Sequence, residues 1–504
     1  MPLAQRKDTP APAPPPRARA KTKFGAAATR TAIPAANGSL YAGRAKIQPQ
    51  LVHGTYRRIK WMILAVALGI YYLVPFLRWH RGEGEPTQAV LLDLDKGRFY
   101  FFSVELWPQD VTYVMGLLIL AALILFLKNA VAGRVWCGYL CPQTVWTDLF
   151  LAVERLIEGD RRARLKLDAA PWSMEKIALR TMKHSIWLLI AWWTGGAWVL
   201  YFADAPTLVG KLATYQAPPA AYVAILTLTA TTYLLAGHMR EQVCTYMCPW
   251  PRIQAALTDE HAYNILYREA RGEPRMSAKQ ATALRAAGQP AGDCVDCFAC
   301  VTACPAGIDI RDGLQMDCIQ CGLCIDACDT VMDRLGRPAG LIGYDTEANR
   351  RSRAAGGGTV SRIVRPRTIL YATLVAGIGS FMLYSLVTRS FTAFSVLHDR
   401  NPLFVTLSDG GIRNGYTIRL SNKRPGERHY ALTVEGLAGA RIEVVGGTPG
   451  DMPVPSDSTQ EFRVLLFAPA GLPTDPSIPL TFTLTDPATG ESIRAQDHFK
   501  APAP

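Results

Sequence analysis

Eight of the chain's 12 cysteines fall in two consecutive CxxCxxCxxxC runs: Cys294, Cys297, Cys300 and Cys304, then Cys318, Cys321, Cys324 and Cys328. Thiolate is a soft ligand for Cu(I), zinc and iron–sulfur centres, so the spacing has to discriminate. Paired CxxC motifs serve zinc sites, and paired cysteines also serve disulfide staples. A triplet followed after three residues by a fourth Cys, made twice, matches the pattern that holds two [4Fe-4S] cubes, the fourth thiolate of each run crossing to the other cube. The crossed pattern assigns Cys294, Cys297, Cys300 and Cys328 to one cluster, and Cys318, Cys321, Cys324 and Cys304 to the second. Pro305 follows Cys304 as expected, whereas Asp329 follows Cys328. That departure leaves ligation intact and bears on solvent access or potential in its loop.

The other four cysteines form a duplicated motif. Cys137, Gly138, Tyr139, Leu140, Cys141 and Pro142 are matched by Cys244, Thr245, Tyr246, Met247, Cys248 and Pro249, both reading CxYxCP. Residues four apart share a helix face, so each pair aims two sulfurs at one place if the helix runs through it, and the following Pro suits a helix ending there. Three readings stay open: a copper site, a third iron–sulfur cluster, or small buried thiols at each helix end. Copper comes first by ligand softness. Met239, Met247 and His238 are candidates to complete such a site, though packing for Met and an interfacial place for His are the plainer roles. His184 needs no ligand role, and Trp187, Trp192, Trp193 and Trp198 read as packing and membrane anchoring.

The elements that position these cysteines are membrane helices. The 504 residues are 49% hydrophobic with mean hydropathy +0.09, too apolar for a soluble multidomain enzyme. Five stretches have the length to cross a bilayer: Ile59 to Leu77, Val111 to Leu127, Ser185 to Phe202, Ala221 to Ala236 and Thr368 to Val387, the fourth weakened by its threonines. The net charge of +13 reflects orientation and not nucleic-acid binding. Lys and Arg crowd the N-terminal tail, the connection around Arg161 to Lys166 and the stretch from Arg350 to Arg367. The positive-inside rule then places the N-terminus and the eight-cysteine segment in the cytoplasm and the C-terminus outside. No Cys follows Cys328, which suits metal or redox chemistry in a reducing compartment better than disulfides.

The expected domains are a disordered basic Pro/Ala-rich cytoplasmic tail (1–55), a four-helix transmembrane region with two CxxxCP repeats (56–255), a cytoplasmic ferredoxin-like domain (256–366), a fifth transmembrane helix (367–388) and a periplasmic domain (389–504). The tail has too little apolar surface to fold alone. The last domain alternates short apolar runs such as Ile418, Leu420, Tyr430, Leu432 and Val434 with turn signals such as Asn414-Gly415, the pattern of a small β-sandwich. With no Cys or paired acids, it reads as a module that binds or shields a partner. The fold class is therefore a multi-domain membrane protein, an α-helical transmembrane bundle with a two-[4Fe-4S] ferredoxin insert and a C-terminal immunoglobulin-like β-sandwich.

Together, the five spans, the CxxxCP repeats, the run CVDCFACVTACPAGIDIRDGLQMDCIQCGLCIDAC from Cys294 to Cys328, and LHDRNPLFV and IRNGYTIRLSNK around Arg400 and Asn414 resemble the FixG, RdxA or CcoG family of membrane polyferredoxins. The resemblance covers essentially everything after the N-terminal tail. It implies a bacterial inner-membrane, multi-pass protein acting in assembly of cbb-type cytochrome c oxidases and reducing Cu(II) to Cu(I). Two [4Fe-4S] clusters would pass electrons to transient copper on Cys137, Cys141, Cys244 and Cys248, making it a cupric reductase. The expected partners are oxidase subunits or copper-delivery proteins, a cytoplasmic electron donor, the membrane and, for the chain itself, a homo-oligomer. Two other classes compete: a quinol-linked or regulatory membrane ferredoxin of anaerobic respiration, for which neither a flavin-attachment motif nor CxxCH is found, and a copper-binding assembly partner without redox turnover.

Overall fold

The computed structural model of the chain describes residues 46–81, 85–360, 362–389, 392–424, 426–455, 458–471 and 475–502. The expected disordered tail therefore lies almost wholly outside the described residues. Among the described residues, four helices are long and apolar enough by length and composition to cross a membrane: Thr55–Phe76, Val111–Ala132, Pro219–Met239 and Pro366–Val387. Each agrees with an expected span, including the threonine-rich one.

The remaining expected span, Ser185 to Phe202, overlaps a 26-residue helix, Met174–Val199, that is not among these four. Lys183 and His184 interrupt its apolar run, and Trp192, Trp193, Thr194, Gly195, Gly196 and Trp198 dilute its aliphatic content.

The chain divides into two compact units. One comprises the chain through Gly69, Leu125–Gly195 and Ile225–Ile369; the other comprises Ile70–Ile124, Gly196–Ala224 and Leu370–Pro504.

In the first unit, the ferredoxin module is closed by an antiparallel pair, Asn264–Tyr267 with Ile342–Asp345, Ile265 opposite Tyr344 and Tyr267 opposite Ile342. Between these strands lie the helices Ala299–Ala303 and Leu323–Arg334. Each starts inside a cysteine run after a left-handed residue, Phe298 (φ 57°) or Gly322 (φ 76°). The core is a shared one, in which Ile265, Val301, Ile308, Ile325, Met332 and Leu341 pack with Cys294, Cys300, Cys318 and Cys328. The module thus buries its apolar residues around the cysteines themselves.

The second unit holds a three-stranded antiparallel sheet that composition did not disclose, Val90–Asp93, Arg98–Phe101 and Val104–Leu106. It also holds the β-sandwich. One sheet orders Arg441–Val444, Ser458–Ala468, Ile412–Asn422 and Thr392–His398, with Val405–Thr406 also paired to the third strand. The other orders Met452–Val454, Arg428–Glu435, Ser477–Thr485 and Ser492–Lys500. Tyr416, Ile418, Leu420, Leu432, Val464, Leu466, Phe482 and Leu484 fill the core. Alternate residues of each strand point inward, as the period-two pattern requires.

Candidate redox site

The two cysteine runs line two cavities in the crossed arrangement. Cys294, Cys297, Cys300 and Cys328 share one of about 330 Å³ with Tyr267, Phe298, Arg311 and Leu341. Cys304, Cys318, Cys321 and Cys324 share another of about 330 Å³ with Ile265, Ile308, Ile310 and the edge of Cys300. Among the described residues, no three His, Cys, Asp or Glu side chains converge to hold a single metal ion. Four cysteines around each cavity, three from one run and the fourth from the other, are the donor set of a [4Fe-4S] cubane. Burial pushes the thiols of Cys300, Cys304, Cys318 and Cys328 up to about 12, and Cys324 well above its ordinary range.

The cavities differ in exposure. Cys297 is exposed, whereas every cysteine of the second cavity is buried or half-buried. Arg311, buried, donates to Cys294 Sγ at 3.8 Å and to Asp296 at 2.6 Å, and lies over the Phe298 ring at 4.5 Å. It fixes the turn that carries the exposed cysteine and presents positive charge to the thiolate side.

The CxYxCP repeats do not place their cysteines along one helix face. The helix Val111–Ala132 stops at Gly133 (φ 53°), a five-residue helix Val135–Tyr139 follows, and Cys141 turns extended (φ −62°, ψ 127°) as the N-cap of Pro142–Glu158. In the second copy the helix widens into π-turns at Tyr233–Met239 and Val243–Met247, separated by Arg240 at φ 46°, before Cys248 turns extended (φ −82°, ψ 121°). The duplicated Cys-Pro is thus a shared chain break, because the Pro ring excludes the preceding residue from helical geometry. The breaks still bring the four sulfurs into one electrostatic neighbourhood. Burial, then Cys141, pushes the Cys137 thiol up to about 11, with Cys248 adding to it. Burial followed by Cys141, Cys137 and Cys248 pushes Cys244 up to about 12. Cys137 Sγ donates to Gln254 Oε1 at 3.2 Å.

The first repeat seats directly on the second cysteine run. A Cβ on Gly138 would lie 2.7 Å from Ile319 O, 3.0 Å from Gln320 O and 3.1 Å from Cys321 Cα, so only glycine permits this approach. Tyr139 Oη donates to Cys321 O at 3.0 Å, Arg134 N to Gln320 Oε1 at 2.8 Å, and Tyr344 Oη to Gln320 O at 2.5 Å. Gln320 also donates to Asn264 Oδ1. The second repeat meets the same run across a small cavity of about 40 Å³, whose wall includes Cys244, Thr245, Glu241, Pro305, Asp317 and Ile319.

Two buried ion clusters brace this assembly. Asp148 accepts from Arg57 at 2.9 Å and lies 3.7 Å from Lys60. Glu154 binds Arg164 at 2.9 Å, Arg240 at 2.8 Å and Lys183 at 3.6 Å. Burial alone raises both carboxyls, but the adjoining cations hold them below their ordinary range. Arg240 thereby anchors the strained bend that precedes the second repeat.

Among the other sequence candidates, His238 stacks on His184 with ring centroids 5.6 Å apart, and His184 Nδ1 bonds Tyr233 Oη at 3.0 Å. Met247 is exposed. Sequence reasoning missed Gly138, Gln320, Gln254, Arg240 and Glu154. Only Gly138 carried a signal, as the small residue of CGYLC opposite threonine in CTYMC.

Comparison with known proteins agrees with this layout. Residues 239–347 match a 4Fe-4S dicluster domain, residues 112–158 a 4Fe-4S binding domain, and residues 382–502 the IG-like fold at the C-terminus of FixG. Nitrogen fixation protein FixG of Rhizobium meliloti is 49% identical over 496 residues, 92% of this chain and 94% of that protein. Protein RdxA of Cereibacter sphaeroides is 52% identical over 450 residues, 89% of this chain and 93% of that protein. A crystal structure of a FixG-related protein from Vibrio parahaemolyticus aligns with TM-score 0.20 and 23% identity, over 22% of this chain and 97% of that one. The chain is an iron–sulfur electron-transfer protein of the membrane, and with half its residues identical to these relatives over nine-tenths of its length it belongs to the FixG/RdxA family.

Proposed function

We propose that the protein is a cupric reductase acting in assembly of cbb-type cytochrome c oxidase, taking Cu(II) onto Cys137, Cys141, Cys244 and Cys248 and releasing it as Cu(I). The observation that carries the reading is the contact of Gly138 and Tyr139 with the Ile319–Cys321 backbone, which joins the duplicated thiols to a cysteine run by direct packing. Two [4Fe-4S] clusters, when bound, supply single electrons. Cys294, Cys297, Cys300 and Cys328 would hold the outer one, and Cys304, Cys318, Cys321 and Cys324 the enclosed one beside the first repeat. Gly138 and Tyr139 set the separation between that run and the copper thiols, and Gln320 holds the loop rigid from three sides. Each Cu(II) takes one electron to become Cu(I), the state thiolates favour. The chain's place is the bacterial inner membrane, with the N-terminus and ferredoxin module cytoplasmic and the β-sandwich periplasmic. Oxidase subunits or copper-delivery proteins would receive the ion.

Copper titration of the anaerobic, dithionite-reduced protein against a Cu(I) chelator tests this. The wild type holds Cu(I) against a chelator of modest affinity and yields it to a strong one, and the variant with Cys137, Cys141, Cys244 and Cys248 all changed to Ser does not hold it. Unchanged Cu(I) retention in that variant ends the copper reading. The match of residues 112–158 to a 4Fe-4S binding domain favours a second reading, in which the same four thiols hold a third cluster. Iron analysis separates the two: about 8 iron per chain for two cubes, about 12 for three.

A further inference from the structure

The second unit contains an open cavity of about 490 Å³ lined by Trp79, Trp107, Arg81, Arg389, Lys423 and Arg428, among others. Its wall adjoins three span ends: Trp79 stands three residues beyond Phe76, Trp107 four before Val111, and Arg389 two beyond Val387. That is headgroup level, where Trp and snorkelling cations settle. Span residues beside it, Phe76, Val111 and Val387, are exposed.

The cavity wall carries five cations, Arg81, Arg389, Lys423, Arg424 and Arg428, and two carboxylates, Glu85 and Glu105; Arg424 also pairs with Glu491 behind it. Arg81 gives its hydrogen bonds to the backbone carbonyls of Phe102 (2.6 Å), Pro86 (2.6 Å), Gln88 (2.8 Å) and Ala89 (2.8 Å). Arg389 and Lys423 share the single carboxylate of Asp110, at 3.6 and 3.4 Å. Arg428 reaches Asp486 only at 3.7 Å. Glu105, on the cavity wall, lies 3.6 Å from Arg98 behind it. Arg98 covers the Trp107 ring at 4.3 Å, which fixes that indole as a rigid wall.

We infer that this cavity binds a phosphate-bearing anion, and that its source is the headgroup of an anionic phospholipid whose acyl chains lie along the exposed span ends. A basic pocket between membrane segments is the arrangement that recognises such headgroups. Excess positive charge supplies the attraction, the indoles cover the glycerol region, and the exposed aliphatic side chains supply the chain contacts that a free ion lacks.

Native mass spectrometry of the full-length holoprotein in detergent, titrated with dioleoyl-phosphatidylglycerol or dioleoyl-phosphatidylcholine, tests the inference. Phosphatidylglycerol adducts are expected at least fivefold more abundant than phosphatidylcholine adducts at equal lipid. The double substitution Lys423→Gln with Arg428→Gln should reduce that preference at least threefold, while Arg428→Lys retains it. Unchanged unfolding temperature of both variants shows that the fold is intact. Equal adducts for the two lipids, or the same preference in the glutamine variant, overturns the proposal. Displacement of phosphatidylglycerol by millimolar inorganic phosphate without dependence on the acyl chains would overturn the lipid source and assign the cavity to free phosphate.

Discussion

The two CxYxCP repeats share a motif and a chain break yet have opposite surroundings. In the first, Tyr139 is 7% exposed and hydrogen-bonded to the Cys321 carbonyl, and Gly138 lets two backbones touch. In the second, Tyr246 is 64% exposed, and Thr245 faces a cavity instead of a backbone. The first repeat is packed against the ferredoxin module; in the second, Cys244 and Thr245 line a cavity wall.

Substitutions should separate the pairs, and the largest effect belongs to the support of the second. Glu154→Gln leaves Arg164 and Arg240 without their buried carboxylate, Lys183 keeping Glu158 at 2.9 Å, a loss of about 3 to 5 kcal/mol, read as a lowered denaturation midpoint in detergent. Because the carboxyls of Glu154 and Asp148 lie below their ordinary range in the fold, their contribution is fully present above the ordinary carboxyl pKa of about 4 to 4.5. It is lost as pH falls through the depressed folded values. Wild-type stability should therefore fall on acidification below about pH 4.5, and the Glu154→Gln variant should show a shallower fall there.

Gly138→Val comes next. Its side chain would meet backbone that cannot retreat, and overpacking of this kind costs about 1 to 3 kcal/mol. The matched change Thr245→Val, on the cavity wall, should cost under about 1 kcal/mol. Electron paramagnetic resonance of the reduced protein should show an altered cluster signal for the first variant and a wild-type signal for the second.

The smallest contrast is between the tyrosines. Tyr139→Phe leaves the Cys321 carbonyl without its donor and should cost about 1 kcal/mol. Tyr246→Phe, at an exposed position, should stay within about 0.5 kcal/mol. Equal effects in the two repeats, in either comparison, would remove the distinction between a repeat packed against the module and one lining a cavity.

Much of this was legible in the chain because cysteine spacing and hydrophobic period are local. The CxxCxxCxxxC runs imply the crossed grouping that the two cavities display, and the alternation around Ile418 to Val434 implies the sandwich. What resisted was non-local or conformational. No residue near Cys137 discloses that Gly138 will meet Ile319 and Cys321 from a segment far along the chain. A four-residue spacing suggests a helix face, but the Pro after Cys141 and Cys248 breaks the helix and brings the sulfurs together by turns instead. Nothing beside Glu154 in the chain points to its burial, since its cations come from three separate segments.

The account stands or falls on whether the duplicated thiols accept electrons from the ferredoxin module. Anaerobic stopped-flow mixing of the reduced protein with Cu(II), following the iron–sulfur absorbance while a chelator reports Cu(I), measures this directly. Wild type should reoxidise with one Cu(I) formed per electron lost, and the variant carrying Ser at Cys137, Cys141, Cys244 and Cys248 should keep its clusters but slow at least a hundredfold. Reoxidation of that variant at the wild-type rate, with the same yield of Cu(I), would contradict it.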